Sequence, residues 1–189
     1  MIIGLTGRIG AGKNEVVKFF LKKKFLHYTM SDVIKEEADK RGINETRENL
    51  QDLGDRLRKE EGPGALVKRL LNKMEPGKNY VIVGLRNPGE IKLLRKFKNF
   101  YLISLNSPQK VRFSRILRRG RIIDSMILSE FLDFDKRDFG DKSNPQGQQV
   151  GKCMEMADFL IINDKSIKEF RENIEKVWER ILRLSGEKI

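Results

Sequence analysis

The residues best suited to chemistry form a glycine-rich motif close to the start of the chain. Residues 7–14 read GRIGAGKN, which matches G-x-x-x-x-G-K and departs at Asn14, where the pattern has Ser or Thr. Glycines let successive backbone N–H groups point inward at a helix N-terminus and bind an anion, and Lys13 can reach the outer phosphates. The alternative is a glycine-rich turn that only joins a strand to a helix. The predicted nucleotide-binding residues of this motif are Gly7, Arg8, Ile9, Gly10, Ala11, Gly12, Lys13, Asn14 and Glu15.

Two oxygen-bearing side chains near this motif are candidates for the same site. The hydroxyl of the Ser or Thr in such a loop normally ligates Mg²⁺, and the amide oxygen of Asn14 is a neutral, bulkier group that can also ligate a hard cation. Asp32 follows the second apolar run, at the edge where open α/β sheets bind ligands. Helix capping by Ser31 and Asp32, worth about 1 kcal/mol, is the alternative for Asp32.

A basic stretch later in the chain could neutralise negative charge. Residues 110–121 are densely basic, and Arg115 and Arg119 lie four residues apart, so they share one face of a helix. Phosphoryl transfer places negative charge on the equatorial oxygens, and arginines of a lid can neutralise that charge. Lys136 and Arg137 could approach from the returning arm. The alternative is a charged outer helix.

Arginines elsewhere could bind an acceptor. Arg86 follows a buried strand and precedes a well-capped helix, where its guanidinium could hold a phosphate in bidentate fashion. A salt bridge to a neighbouring helix is the alternative. Arg56 and Arg58 lie on a predicted helix before residues 62–64, and a solvated helix face explains them equally well.

The apolar pattern predicts the elements that must position these side chains. Five short apolar runs read as strands, at residues 2–6, 25–30, 80–85, 100–105 and 159–162. Helical stretches separate them, which predicts βαβ units and a parallel sheet with helices on both faces. Helix starts are predicted at the capping residues Ser31, Thr46, Asn87, Ser107 and Ser166. Residues 140–151 are the most loop-like stretch.

Composition limits the class of protein. The chain has 189 residues, which suits one domain. Lys and Arg number 39 and Asp and Glu 27, and the formal net charge of +12 favours anionic partners. No apolar run is long enough to span a bilayer, and the opening does not resemble a signal peptide. A single cysteine, Cys153, excludes an intrachain disulfide. We expect a cytoplasmic protein with no membrane partner.

Four segments carry a resemblance to a known family. They are MIIGLTGRIGAGK at residues 1–13, SDV at 31–33, LRNPGE at 85–90 and ADFLIIND at 157–164. With them the chain resembles the nucleoside-monophosphate-kinase group of P-loop kinases. The nearest branches are the dephospho-CoA-kinase-like proteins and the deoxynucleoside monophosphate kinases, some of whose members are linked to deoxycytidylate deaminases. The resemblance extends from residue 1 to about residue 177.

The resemblance implies a complete architecture. It implies an α/β, three-layer P-loop kinase fold with a five-stranded parallel sheet in the order 2-3-1-4-5, helices on both faces and a short lid. Residues 1–189 would form a single domain. The acceptor-binding helical region would lie at about residues 31–75 and the lid at about residues 112–150.

The resemblance also implies an activity. It implies an ATP- and Mg²⁺-dependent kinase that transfers a γ-phosphoryl group to a small phosphorylated acceptor. A (deoxy)nucleoside monophosphate is favoured, and dephospho-coenzyme A is the alternative. The implied catalytic residues are Lys13, Asp32, Arg115 and Arg119. The implied acceptor-binding residues are Asp32, Arg58 and Arg86, the metal ligands are Asn14 and Asp32, and Asn163 borders the adenine.

Two departures from the family pattern favour a second hypothesis. Asn14 replaces the loop hydroxyl, and Val83 stands where relatives often have Asp. A non-catalytic nucleotide sensor that regulates a partner such as a deaminase would tolerate both changes. A homodimer is also compatible with the chain. Nucleic-acid binding has only the net charge in its favour, because the chain lacks a recognisable reading motif and interleaved aromatics in its basic stretch.

Overall fold

A five-stranded parallel sheet forms the centre of the computed structural model, which describes residues 1–118, 127–140 and 144–186. The strands are β1 (Ile2–Gly7), β2 (Leu26–Thr29), β3 (Tyr80–Val83), β4 (Phe100–Asn106) and β5 (Phe159–Ile162). Their order is β2-β3-β1-β4-β5, and all neighbouring pairs are parallel. The predicted fold class and strand order are confirmed.

Nine helices lie within the described ranges. They are α1 (Lys13–Lys22), α2 (Met30–Lys40), α3 (Arg47–Glu61), α4 (Ala65–Leu71), α5 (Pro88–Leu94), α6 (Gln109–Leu117), α7 (Leu128–Phe139), α8 (Val150–Glu155) and α9 (Ile167–Ser185).

The core lies on both faces of the sheet. Strands β1 and β3 are buried along their whole length, as expected of strands that helices cover on both sides. On one face Leu5 packs in a cluster with Phe20 of α1 and Phe170 of α9. On the other face Ile82 packs in a cluster with residues of α2 to α5, among them Leu57. Because both faces are covered, the carboxyl edge of the sheet is where a site can open.

Helix α2 begins earlier than the sequence predicts. Its N-cap is Thr29, whose hydroxyl accepts a hydrogen bond from the Asp32 N–H at 2.9 Å. The predicted cap at Ser31 is therefore wrong, because Thr29 is the last extended residue and its hydroxyl lies at capping distance. The predicted cap at Ser107 is also wrong, since Pro108 holds the N-cap position of α6. The caps predicted at Thr46, Asn87 and Ser166 are confirmed.

Two helices were not predicted: α7 falls within the expected lid region, and α8 begins where that region ends. The buried residues of α7 are Phe131, Asp135 and Asp138. Because two of the three are acidic, the sequence shows no apolar repeat at helical spacing there. Helix α8 begins at Val150, which corrects the end of the predicted loop at residues 140–151. Arg119 lies outside the described residues.

Candidate nucleotide site

The phosphate loop connects β1 to α1 and depends on glycine. Gly10 and Gly12 have φ angles of +77° and +108°, which side-chain-bearing residues rarely adopt. A Cβ on Gly12 would lie 2.4 Å from Asn163 Nδ2, and one on Gly10 would lie 2.7 Å from the carbonyl oxygen of Arg112. The loop therefore requires glycine for its conformation and for the close approach of its neighbours.

Lys13 is the first residue of α1, and its side chain folds back over the loop. Its Nζ donates hydrogen bonds to the carbonyl oxygens of Gly7 at 2.6 Å and Arg8 at 2.9 Å. The described residues supply no side chain that caps α1, so its first turn presents N–H groups that an anion can satisfy. The loop thus has the donors that a nucleotide's phosphates require.

A cavity of about 470 Å³ opens beside this loop. Its lining includes most of the predicted phosphate loop, with Lys13 and Asn14, and the predicted residues Asp32 and Arg86. Asp138 of α7 also lines the cavity and was not predicted. The structure therefore brings together residues from β1, β2, β3 and the region predicted as a lid.

The same cavity could hold a magnesium ion. Asn14 and Asp32 are exposed and line it, and their amide and carboxylate oxygens are the ligands that Mg²⁺ takes. The described part of the chain contains no cluster of three or more His, Cys, Asp or Glu residues suited to a metal. These residues fit a cation that takes most of its ligands from phosphates and water.

Asn163 lies after β5 and connects three parts of the site. It is 5% exposed, and its Nδ2 donates to the carbonyl oxygen of Ala11 at 3.0 Å. Its Oδ1 accepts a hydrogen bond from Arg115 Nη2 at 3.0 Å, and its carbonyl oxygen accepts one from Ser107 Oγ at 2.5 Å. Asn163 and Arg115 thus meet directly beside the phosphate loop, and contact of Asn163 with an adenine stays a prediction.

Helix α7 also contacts the phosphate loop. Arg8 Nη2 lies 2.8 Å from Asp135 Oδ2, and the Arg8 guanidinium lies 4.3 Å from the ring centre of Phe139. Burial lowers the pKa of Arg8, while Asp135 acts in the opposite direction; the guanidinium stays charged in either case.

Asp135 also pairs with Arg112, which binds it through both terminal nitrogens at 2.7 and 2.9 Å. Arg112 is 2% exposed, so its role is structural.

Arg86 stands at the carboxyl end of β3 and is held by a small network. Its Nη1 donates to Asp138 Oδ1 at 2.9 Å and to Gln148 Oε1 at 3.2 Å. Gln51 Nε2 of α3 donates to the same Asp138 oxygen at 2.9 Å. The Arg86 side chain remains 28% exposed. The alternative given for Arg86, a salt bridge to a neighbouring helix, is observed with Asp138 of α7, and its binding of an acceptor phosphate stays a prediction.

A second cavity adjoins the first and lies between α2 and α3. Its volume is about 350 Å³, and its lining includes the apolar residues Met30, Ile34 and Leu50. Arg86 and Ser31 line both cavities. Most of its lining lies within residues 31–75, where acceptor binding is predicted, and the rest comes from Ile9, Met30, Gly84, Arg86 and Gln148.

Arg58 lines the second cavity together with Arg86 but is more deeply buried. Its side chain is 1% exposed and its Nε donates to Glu90 Oε1 at 3.0 Å. Glu90 Oε2 in turn accepts from the backbone N–H groups of Arg86 at 2.8 Å and Asn87 at 3.2 Å. Arg58 therefore supports the turn that carries Arg86, and its direct contact with an acceptor stays a prediction.

The remaining basic candidates fall outside the cavities or outside the described residues. Arg137 pairs with Asp52 at 2.5 Å and Asp55 at 3.4 Å, which fastens α7 to α3. Arg56 is exposed on α3. Across residues 1–118, 127–140 and 144–186, no helix is both long and apolar enough to cross a membrane.

Comparison with other sequences shows which family the chain belongs to. Residues 3–133 match a family model described as an AAA domain. The chain is 40% identical to the UPF0200 protein PH1008 of Pyrococcus horikoshii over 189 residues, which cover 96% of this chain and 98% of that protein. It is 32% identical to the UPF0200 protein MJ1399 of Methanocaldococcus jannaschii over 186 residues, with coverage of 96% and 91%.

Comparison with solved structures shows a kinase-like fold. A shikimate kinase from Bacteroides thetaiotaomicron aligns with a TM-score of 0.59 and 18% identity over 98% of each chain. A dephospho-CoA kinase from Campylobacter jejuni aligns with a TM-score of 0.57 and 14% identity, covering 97% of this chain and 98% of the other. Identities this low carry the fold alone, so the resemblance to one kinase branch and to deaminase-linked proteins stays a prediction.

Proposed function

The chain belongs to the UPF0200 family and carries an AAA domain over residues 3–133, and on that premise we propose that it is an ATP-dependent kinase. It transfers the γ-phosphoryl group to a small phosphorylated acceptor, with a (deoxy)nucleoside monophosphate as the favoured class. One observation carries the proposal: the cavity at Lys13 and the cavity between α2 and α3 share a wall at Arg86. A donor and an acceptor could therefore meet there.

The residues divide into donor and acceptor roles. The loop N–H groups and Lys13 bind the phosphates of ATP, and Arg115 neutralises charge from the side of α6, with Arg119 as its predicted partner. Arg86 binds the acceptor phosphate. Asn14 and Asp32 are the residues that would hold magnesium, which would supply positive charge to neutralise the phosphates.

The second cavity supports a small acceptor. Its volume of about 350 Å³ lies near the lower end of the roughly 300–1,000 Å³ typical of ligand pockets. Met30, Ile34 and Leu50 offer an apolar wall against which a base could pack. This size favours a nucleoside monophosphate over dephospho-coenzyme A, whose pantetheine arm would need additional room.

A polar atom in the same wall supports a base with an N–H donor. The Gln51 carbonyl oxygen Oε1 is buried and has no hydrogen-bond partner among the described residues. Its amide orientation is set by Asp138, because an ionised carboxylate only accepts hydrogen bonds. A buried unpaired acceptor costs about 1–3 kcal/mol, and a donor on a nucleobase would satisfy it after a small movement of the Gln51 side chain toward the cavity.

A nucleotide sensor remains the second candidate. Val83 lines the phosphate cavity at the end of β3, so no carboxylate from that position can assist a metal. A sensor would bind ATP without acceptor-dependent turnover and would act on a partner such as a deaminase. A homodimer and a cytoplasmic location are further proposals that are compatible with either candidate.

An acceptor panel decides between the two candidates. The protein would be mixed with ATP, Mg²⁺ and either a ribo- or deoxynucleoside monophosphate or dephospho-coenzyme A, and ADP would be measured. We expect acceptor-dependent ADP from a nucleoside monophosphate and its loss in Lys13→Ala. The matched control is Lys18→Ala, because Lys18 is 71% exposed on the same helix. ATP binding by calorimetry without turnover on any acceptor would favour the sensor.

A further inference from the structure

A glutamine-rich segment of the chain wraps the turn that follows β3. Residues 146–149 read QGQQ, and the Gln149 N–H donates to the carbonyl oxygen of Arg86 at 2.6 Å. Asn87 Nδ2 donates to the carbonyl oxygens of Gly147 at 2.9 Å and Pro145 at 3.1 Å. This segment therefore holds the chain directly after the Arg86 side chain, at the Arg86 carbonyl group and at Asn87.

Four side-chain groups close a ring of hydrogen bonds at the same place. Arg86 Nη1 and Gln51 Nε2 are the donors, and Asp138 Oδ1 and Gln148 Oε1 are the acceptors. The two bonds to Asp138 measure 2.9 Å each, and the bonds from Arg86 and Gln51 to Gln148 measure 3.2 and 3.3 Å. Gln51, Asp138 and Gln148 are each no more than 5% exposed. Three buried groups from separate segments thus hold one partly exposed guanidinium.

The ring engages one edge of the guanidinium and leaves another edge available. A guanidinium has five N–H donors in a planar fork. Within the described residues, the Arg86 side chain donates only through Nη1. Its Nε and Nη2 lie on the edge that binds a phosphate with two parallel hydrogen bonds. Because Arg86 lines both cavities, that edge is within reach of a ligand there.

We propose that Asp138 and Gln148 are positioning residues that hold Arg86 ready for the phosphate of the acceptor. The inference rests on the proposed function, because it takes an anionic acceptor as the ligand. A long side chain loses rotamer entropy when it is ordered. Because the ring orders the Arg86 side chain during folding, this entropy is not lost again when the acceptor phosphate binds. The glutamine-rich segment thereby acquires a role in acceptor affinity rather than in the chemical step.

Binding measurements test this directly, without requiring turnover. Each nucleoside monophosphate of the panel would be titrated calorimetrically into the wild-type chain and into Asp138→Asn, with Asp133→Asn as control. Asp133 is exposed on the same helix, so its variant makes the same chemical change away from the ring. We expect Asp138→Asn to weaken acceptor binding by roughly ten- to hundredfold. Asp133→Asn should bind as the wild type does.

A second variant and a kinetic readout separate positioning from a loss of structure. Gln148→Met removes one neutral acceptor and should weaken acceptor binding less than Asp138→Asn does. In both variants the KM for the acceptor should rise while kcat and the affinity for ATP stay within about twofold. A variant that lost structure would lose ATP binding as well.

Three outcomes would overturn the proposal. Unchanged acceptor affinity in both variants would show that the ring does not prepare Arg86. Tighter binding in Asp138→Asn would show that the carboxylate competes with the phosphate. If no nucleoside monophosphate bound to the wild-type chain, Arg86 would have no acceptor phosphate of this class to bind. Binding without turnover, in contrast, would reject only the kinase activity and leave the positioning role supported.

Discussion

The side-chain amide of Asn163 donates a hydrogen bond to the carbonyl oxygen of Ala11, with 3.0 Å between Nδ2 and the oxygen. This bond joins the loop after β5 to the phosphate loop, 152 positions earlier in the chain. The same side chain accepts from Arg115 Nη2 at 3.0 Å. The candidate nucleotide site therefore depends on Asn163. This residue was predicted to border the adenine, and its observed hydrogen bonds hold the phosphate loop.

Replacing Asn163 with Ala should loosen the phosphate loop. The change leaves the Ala11 carbonyl oxygen and an Arg115 donor without their partner, and losses of this kind cost about 1–3 kcal/mol. We expect a lower free energy of unfolding in urea and weaker ATP binding by calorimetry. Asp164→Ala is the control, because Asp164 is exposed in the same loop. Equal ATP affinity in the two variants would contradict the role of Asn163.

Replacing Gly12 with Ala should abolish ATP binding. Gly12 combines a φ of +108° with a Cβ position 2.4 Å from Asn163 Nδ2, so both the loop and Asn163 would have to shift. Gly42→Ala is the matched control, because Gly42 has a φ of +62° and nothing within 4 Å of its Cβ position. It should lose only about 1–2 kcal/mol of stability and bind ATP normally. Calorimetry and thermal unfolding of both variants check this.

Replacing Arg58 with Met should reduce stability more than it reduces acceptor affinity. The variant leaves Glu90 buried without its main cationic partner, and breaking a buried pair from one side costs about 3–5 kcal/mol. Urea unfolding measures the loss. Arg56→Met on the exposed face of α3 should change stability by no more than about 0.5 kcal/mol. A small stability loss together with a large rise in the acceptor KM would instead support the predicted acceptor contact of Arg58.

The single cysteine should behave as a probe of unfolding. Cys153 is 0% exposed, and burial, together with the nearby Glu90 carboxylate, raises the pKa of its thiol. Since the thiolate is the reactive form, we expect no reaction with a thiol reagent at pH 8 in the folded state and full reaction in denaturant. The thiol of the unfolded state ionises first, so the free energy of unfolding should fall above about pH 8.5. Rapid labelling of the folded chain would contradict this assignment.

Much of the fold could be predicted because its signals are local. The glycine spacing and the strand before it specify the phosphate loop, and β-branched runs such as residues 80–83 mark strands that helices cover on both faces. The capping boxes at Asn87 and Ser166 are readable from a few adjacent residues. The strand order came from the family resemblance and is confirmed.

The sequence by itself determined the glycine-rich loop and most of the helices and strands around it, because glycine spacing, apolar period and capping residues act over a few positions. Only the tertiary structure decided the partners of the arginines. Asp135 reaches Arg8 and Asp138 reaches Arg86 from a helix that follows both in the chain, while Arg58 pairs with the buried Glu90. In the sequence, a charged residue on a solvated helix face cannot be told from one in a buried ion pair. The packing of segments that are distant in the chain decides which of the two environments it has.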